Sequence, residues 1–176
     1  TIGLLNLVRL PWLLKLFWSP LVDRHCLTVA HYKRTIIITE SIYALALIAT
    51  SLVYVQSNML LALVLVFISL LASATQDIAT DALAIITSKK SERSMLNSMQ
   101  SMGSFGGALL GSGVLLIVLK TYEWQAVVLC LAFFVLIMLI PLLFNKNLKA
   151  ITPKPTQKAN FKDILYFFSH HDTWRQ

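Results

Sequence analysis

The chain has 176 residues, of which 57% are apolar and 13% are charged, and its mean hydropathy is +0.71. This composition excludes an ordinary soluble domain, in which about 25% of residues are charged, and it indicates a membrane protein. The formal charge of +7 would suggest a nucleic-acid partner in a soluble protein. Here the positive residues lie between apolar spans, so no nucleic acid is expected and the charge indicates membrane topology instead.

The apolar spans predict an all-α bundle that crosses the lipid bilayer several times. A crossing helix needs about 20 mostly apolar residues. Five segments meet this requirement, at about 2–22, 35–55, 59–86, 96–119 and 124–144. The chain begins inside an apolar pattern without an initiator Met and ends in a polar segment. We therefore expect it to be part of a longer membrane protein.

The segment 145–176 is predicted to be a basic loop on one side of the membrane. Its TPKPTQK stretch contains two prolines and is typical of a linker. The NFKDILYFF stretch that follows predicts a short amphipathic helix from about residue 160, with Asn160 as its N-cap.

Lysine and arginine residues are distributed unevenly over the connections between the spans. In chain order, the five connections carry 3, 0, 3, 1 and 6 of them. Because cytoplasmic loops collect Lys and Arg, the segments 23–34, 87–95 and 145–176 are predicted to be cytoplasmic. The first, third and fifth spans then run toward the cytoplasm.

Two acidic residues interrupt the third span, in the stretch ATQDIATDALA that covers residues 74–84. Asp77 and Asp81 are four residues apart and so share one face of a helix. A charge at the centre of a spanning helix costs about 2.5–3.5 kcal/mol, so each carboxylate needs a partner or a watery cavity. Like charges away from bulk water favour retention of a proton, which makes the pair a candidate for proton coupling. The alternative is a structural ion pair, or solvation at the end of the helix.

Three further charges lie inside the first two spans. Arg9 and Lys15 belong to the first span, where a buried cation suits an anionic group of a substrate or a carboxylate such as Asp77. Alternatively, Arg9 lies near the outer headgroups. Glu40 lies about five residues into the second span.

The fourth span carries a ridge of glycines. Gly103, Gly107 and Gly111 repeat every four residues, a spacing that lets another helix approach closely. No phosphate-binding loop is predicted, because the sequence has no GK[ST] after a strand. The histidines and cysteines show neither metal-ligand nor disulfide spacing, so neither a metal nor a cofactor is expected.

Taken in order, LPWLLKLFWSPLVDR, a basic loop, ATQDIATDALA, TSKKSERS and a glycine-rich span resemble the major facilitator superfamily. More narrowly, KLFWSPLVDR and QDIxxDA resemble the AmpG-type branch, which includes muropeptide permeases, acetyl-CoA transporters and RhtX/FptX-type siderophore importers. The resemblance covers nearly the whole chain as the second to sixth of twelve helices. It implies a multi-pass protein of the bacterial inner membrane whose C-terminal half lies outside this sequence.

The resemblance also implies a function and a set of residues. The family members are proton-driven importers of a small polar solute, such as a peptidoglycan fragment or a siderophore, and work by alternating access. The functionally important acidic motif matches Gln76, Asp77 and Asp81. The superfamily's cytoplasmic gate is similar to the Asp23–Arg24 segment with the later Lys33–Arg34, although its usual glycines are absent and the loop is longer. In a closed gate, Arg24 or Arg34 would pair with Asp81, and Glu40 would join that network. The helix-five Gly-Pro signature of drug antiporters is absent, which favours import over drug export.

Two other classes remain open at this point. A D-x-x-x-D pair at a helix end can hold Mg²⁺ in a membrane-embedded metal-dependent transferase, but the D-G-x-x-A-R and N-D-x-x-D strings of such enzymes are absent. The second alternative is a non-transporting assembly protein that uses the glycine ridge.

Overall fold

The structure, a computed structural model, describes residues 10–26, 28–55 and 57–145. Its helices are α1 (Leu10–His25), α2 (Val29–Leu52), α3 (Met59–Thr87), α4 (Arg93–Leu109), α5 (Leu115–Thr121) and α6 (Trp124–Phe144). A 3₁₀ turn precedes α4, and a π-helical segment, Leu110–Val114, joins α4 to α5. The described part contains no strand, and the prediction of an all-α membrane bundle is confirmed.

Four helical segments are long and apolar enough to cross a membrane. They are Val29–Leu52, Met59–Thr87, the continuous rod Lys90–Thr121 and Trp124–Phe144. Large apolar side chains point away from the bundle, as Leu60 (77% exposed) and Phe133 (68% exposed) show. Such a continuous apolar exterior suits lipid rather than water. The start of the predicted first span, residues 2–9, lies outside the described residues, as does the predicted amphipathic helix near residue 160.

Helix α2 is the centre of the bundle and packs against both α3 and α6. Most of the side chains buried on α2 and α3 are small, which lets the two backbones approach closely where apolar surface gains little from leaving lipid. They are Ala44, Ala46, Thr50 and Ser51 on α2 and Ala62, Ser69, Ala72, Ala74 and Ala79 on α3. Larger side chains join them where Tyr32 and Ile36 of α2 pack near Leu83 of α3. Toward α6, α2 buries Leu47 against Val128 and Ala132.

The connection between α1 and α2 is shorter than the predicted polar loop over 23–34. Helix α1 continues to His25, and α2 already begins at Val29. The Thr28 hydroxyl caps α2 by accepting a hydrogen bond from the His31 amide at 3.2 Å. Since the buried side chains of Cys26 and Val29 pack in one cluster, the turn is held against the bundle. How this loop compares in length with the family's stays a prediction.

Lys33, predicted to lie in that loop, instead occupies the first turns of α2 and reaches the end of α6. Its ammonium group donates to the carbonyls of Leu143 at 3.3 Å and Asn145 at 3.0 Å. These carbonyls lie where α6 ends and lack intrahelical partners, and the helix dipole favours a cation there. The contact fastens the end of α6 to α2.

The rod Lys90–Thr121 buries none of its side chains in the described chain. A Cβ atom placed at Gly103, Gly107 or Gly111 would meet no described atom within 4 Å. The close helix packing predicted for this ridge thus has no partner among α1 to α6, and it stays a prediction. The π-helical segment contains Gly111 and Gly113 and locally widens the helix.

Candidate functional site

The candidate site begins with an ion pair between two helices, α1 and α3. The Lys15 ammonium group on α1 lies 2.7 Å from the Asp77 carboxylate on α3. The two side chains are 30% and 28% exposed, so the pair is sheltered but open to small solutes. Each charge inside a membrane bundle requires compensation, and this contact supplies it for both. Of the two partners indicated by the sequence for a buried cation, the structure shows the carboxylate of Asp77.

The two residues meet because they lie at the same depth. Lys15 precedes the last residue of α1, His25, by ten positions, and Asp77 precedes the last residue of α3, Thr87, by ten positions. Both are therefore about 15 Å from the ends of their helices. Along the chain, α1 and α3 are separated by the single antiparallel helix α2, so they run in the same direction. Because α1 packs directly on α3, equal distances from their ends place the two residues side by side.

Asp81, one turn after Asp77, has a different partner on a third helix. The Gln100 side-chain amide on α4 donates to its carboxylate at 2.8 Å. Asp81 also lies within the electrostatic influence of Asp77 and Lys15. The polar groups on α1, α3 and α4 thus form one linked chain across the bundle.

A cleft of about 630 Å³ opens between the C-terminal half of α3 and the first half of α4. Its wall is polar where Asp77, Asp81 and Gln100 meet, and apolar toward Ile85 and Met99. The remaining lining residues are Thr80, Ala84, Arg93, Leu96 and Asn97. This mixture of charged, amide and apolar groups is typical of a pocket that binds and orients a polar organic molecule.

The opposite side of α3 anchors the cleft to the bundle. Ala79 lies two residues from both Asp77 and Asp81 and therefore points the other way. Ala79 and Leu83 are buried against Tyr32 and Ile36 of α2. One side of α3 is thus packed on α2 while its acidic side faces α1 and α4.

The other residues singled out from the sequence do not join this cleft. Gln76 is half-buried, and its carbonyl accepts from the Thr80 hydroxyl. Glu40 is half-buried on α2, and within the described residues no hydrogen bond or ion pair reaches its carboxylate. Asp23 accepts a hydrogen bond from the Tyr32 hydroxyl at 3.1 Å. Arg9 lies outside the described residues.

Arg24 and Arg34 are exposed, and Asp81 hydrogen-bonds to Gln100 rather than to either arginine. The arginine partners of Asp81 were predicted for a closed cytoplasmic gate, and that prediction refers to a state in which the gate is shut. It stays a prediction.

Sequence reasoning missed the contribution of α4. Asn97 and Gln100 carry no charge, and neither belongs to the quoted motifs, although their amides face the acidic pair across the cleft. Arg93 was counted only as a loop cation, whereas it begins α4 and lines the cleft. A polar face of α4, with Ser94, Ser98 and Ser101 near these residues, is the signal that could have identified this wall.

Trp18 was also missed. It lies three residues after Lys15 on α1, and its buried indole N–H has no acceptor within the described residues. In the same part of the chain, no group of three or more His, Cys, Asp or Glu side chains is placed to hold a metal ion.

Together, the apolar helices of spanning length, the ion pair between α1 and α3 and the polar cleft define a multi-pass integral membrane helix bundle. The chain matches the family described as Major Facilitator Superfamily over residues 4–174, nearly its whole length, and it belongs to that superfamily.

Two curated relatives have the same name, "Putative transporter AmpG 3". That of Rickettsia prowazekii (strain Madrid E) is 28% identical over 172 residues, which are 94% of this chain and 41% of the relative. That of Rickettsia typhi (strain ATCC VR-144 / Wilmington) is 28% identical over 176 residues, which are 95% of this chain and 41% of the relative. The chain thus spans about two fifths of the length of these relatives, and the resemblance to AmpG-type proteins is confirmed. No solved structure matches the chain.

Proposed function

We propose that the full-length protein is a secondary active transporter that couples the import of a polar solute to protons by alternating access. The chain covers helices two to six of its N-terminal half, and a second half of the same chain completes a shared cavity. One observation carries this proposal: the Lys15–Asp77 ion pair borders a polar cleft within the spanning part of a superfamily member. Ionisable groups in such positions are the usual elements of proton and substrate pathways.

Asp77 is the proposed proton carrier. It is the acidic cleft residue that holds a cation from another helix, so adding a proton to it breaks a contact between α1 and α3. Protonation can then change the relative stability of two bundle conformations, which a proton bound without differential contacts could not do. Asp81 is held by α4 instead and is the proposed link to the cytoplasmic gate, with Arg24 or Arg34 as its partner in the closed state.

The proposed solute is a peptidoglycan fragment, a siderophore or a molecule of similar polarity. The cleft's amides and carboxylates suit ligands with many hydrogen-bonding groups, and its volume suits one part of such a molecule. The name of the relatives identifies them only as transporters. The proposed location is the bacterial inner membrane, and the glycine ridge of α4 is proposed to pack against a helix of the second half.

The test is uptake by cells that express the full-length protein. Labelled anhydromuropeptide and a labelled ferric siderophore are supplied separately, with and without a protonophore. We expect one of them to accumulate against its gradient and the protonophore to abolish the accumulation. Accumulation of one substrate that is unaffected by the protonophore would reject proton coupling. Accumulation of neither would reject the proposed solute class.

A further inference from the structure

We propose that the cleft binds a dipolar solute, whose cationic group lies at Asp81 and whose anionic group lies at Arg93, about 10 Å away along the helix axis. The inference rests on the proposed function, and it specifies the charges of the solute and the direction in which the solute lies. Asp81 and Arg93 are the two residues of the cleft wall whose charges no ion pair with another described residue neutralises.

Arg93 supplies a cation at one end of the cleft. It is the first residue of α4, and its exposed side chain lines the cleft where α3 leads into α4. Among the described residues, no hydrogen bond or ion pair reaches its guanidinium group. The adjacent Glu92 is bonded to the Lys89 amide at 3.1 Å. The N–H donors of Arg93 are therefore available to a carboxylate or phosphate group, which a guanidinium binds through two parallel hydrogen bonds.

Asp81 supplies an anion further along the cleft. Its carboxylate accepts a hydrogen bond from the uncharged Gln100 amide at 2.8 Å, and in the described part of the chain it forms no ion pair. Asp77 differs in this respect, because its carboxylate lies 2.7 Å from the Lys15 ammonium group. A carboxylate can accept several hydrogen bonds at once. Asp81 is therefore the cleft carboxylate at which a cationic group of a solute can bind.

The two charges are separated along the cleft. Gln100, which bonds to Asp81, follows Arg93 by seven residues on α4. At about 1.5 Å per residue, Arg93 is about 10 Å nearer to the start of α4 than Asp81 is. An extended peptide spans about 3.3–3.6 Å per residue, so a molecule as long as a tripeptide can reach both charges. The cleft volume of about 630 Å³ has room for a molecule of this size.

The wall between the two charges suits the middle of such a solute. Asn97 lies between them on α4, and its exposed side-chain amide has no hydrogen-bond partner within the part of the chain that the structure describes. This amide can both donate and accept. Leu96, Ala84 and Ile85 add apolar surface beside it. The wall can thus contact an uncharged segment that contains amide or hydroxyl groups and short apolar groups.

Charge compensation makes the site selective. In a bundle whose exterior faces lipid, an uncompensated charge is unfavourable, and a solute with one charge neutralises only one of the two residues. A dipolar solute neutralises both and adds no net charge. In the reverse orientation it would place like charges together, which opposes binding. The cleft should therefore prefer dipolar molecules to singly charged molecules of the same length, and bind them in one direction.

The experiment measures the binding of tritiated trialanine to the full-length protein in nanodiscs, at neutral pH and without transport. Trialanine has an ammonium group at one end and a carboxylate at the other. Its competitors are N-acetyl-trialanine, which keeps only the carboxylate, and trialanine amide, which keeps only the ammonium group. We expect trialanine to bind about tenfold more tightly than either competitor, because each competitor lacks one charge-assisted contact.

Substitutions assign each charge through its effect on one group of the ligand. Arg93→Gln should weaken the binding of trialanine about tenfold but leave that of trialanine amide unchanged, because the amide has no carboxylate. Asp81→Asn should weaken the binding of trialanine amide but leave that of N-acetyl-trialanine unchanged. Arg93→Lys keeps the cation and should keep the preference for a free carboxylate. The control is Lys90→Gln, an exposed lysine outside the cleft lining, which should behave like the wild type.

Two results would overturn the inference. One is that trialanine binds the wild-type protein no more tightly than its two blocked forms, or does not bind. The other is that folded Arg93→Gln protein still prefers trialanine to trialanine amide. If Arg93→Gln does not fold, the three ligands on the wild-type protein still decide. Proton-driven uptake without a preference for dipolar ligands rejects only this site, whereas the preference without uptake rejects only the transport proposal.

Discussion

Lys15 on α1 and Asp77 on α3 form a 2.7 Å ion pair although 62 positions separate them in the chain. Each lies ten residues before the end of its helix. The pair therefore forms because the two helices run in the same direction and carry their charges at the same distance from their ends. One turn further along α3, Asp81 bonds to α4 instead. The two carboxylates therefore contact different helices. A change at Asp77 affects the contact with α1, whereas a change at Asp81 affects the contact with α4.

Replacing Asp77 by Asn in the full-length protein should abolish accumulation of the solute against its gradient while leaving solute exchange measurable. Asn keeps the size of the side chain but cannot bind and release a proton. Uphill uptake is expected to fall to the background level and counterflow exchange to persist. The matched control is Glu123→Gln, an exposed carboxylate between α5 and α6. Wild-type uphill transport by Asp77→Asn would remove Asp77 from the coupling site.

The gate hypothesis for Asp81 is tested by charge reversal. Asp81→Arg should impair closure on the cytoplasmic side, and a reciprocal Arg24→Asp or Arg34→Asp should restore part of it, because the swap re-forms the pair. Closure is measured by labelling a cysteine in the cavity from the cytoplasmic side. If neither double variant closes better than the single one, the arginines are not the partners and Asp81 belongs to the coupling site with Asp77.

Gln100→Leu should affect the contact that Asp81 makes in the present conformation, rather than in the closed gate. The substitution removes the amide that donates to the carboxylate in this conformation and keeps a side chain of similar size. We expect α4 to be held less firmly against α3, measured as faster hydrogen exchange in the first turns of α4. Ser104→Ala, one turn further along the same helix, is the control, since its hydroxyl donates to the Gln100 backbone carbonyl of its own helix. Unchanged exchange in Gln100→Leu would mean that the contact does not hold the helices together.

Lys33→Met should loosen the end of α6. The ammonium group donates to two carbonyls there, and a cation at a helix C-terminus stabilises by about 0.3–1 kcal/mol. The expected result is a small decrease in the apparent Tm and increased protease sensitivity after Asn145. Lys90→Met, an exposed lysine in the turn before α4, provides the comparison. Equal behaviour of the two variants would show that the contact contributes nothing measurable.

Ala79→Leu should disrupt the packing of α3 on α2. Ala79 is fully buried, within the cluster that contains Tyr32 and Ile36, so three additional carbons must displace them. Overpacking of this kind costs about 1–3 kcal/mol. A lower Tm and a lower yield of folded protein are expected, whereas Ala30→Leu at an exposed position of α2 should have little effect. A stable Ala79→Leu protein would show that the two helices have room to separate.

The predicted topology is tested with single cysteines at two exposed positions. Ser91 lies in the turn before α4, in a segment predicted to be cytoplasmic, and Ser57 lies between α2 and α3 on the other side. A membrane-impermeant maleimide added to intact cells should label Ser57→Cys and spare Ser91→Cys until the cells are opened. The reverse pattern would invert the orientation of every helix.

The sequence by itself determined the class of the molecule. Apolar segments of spanning length can be stable only as helices in lipid, because each backbone polar group must find a partner within its own segment. The same constraint made Asp77 and Asp81 conspicuous, since a charge within such a segment requires compensation. A helical spacing of four residues was enough to place both on one face of α3.

Only the tertiary structure decided which groups compensate those charges. The sequence left both Arg9 and Lys15 as candidate partners of Asp77, and the resemblance left Arg24 and Arg34 as candidate partners of Asp81 in a closed gate. The partners follow from the position of each residue along its helix and from the helix direction. Lys15 is level with Asp77 on a parallel helix. Gln100 lies seven residues after the start of α4 and Asp81 lies six residues before the end of α3, so these two are also nearly level. An uncharged amide gives no signal in a charge pattern, so the polar face of α4 did not by itself identify Gln100 as the partner of Asp81. Which residues of different helices pair depends on how the helices pack, and the order of residues along the chain does not contain that information.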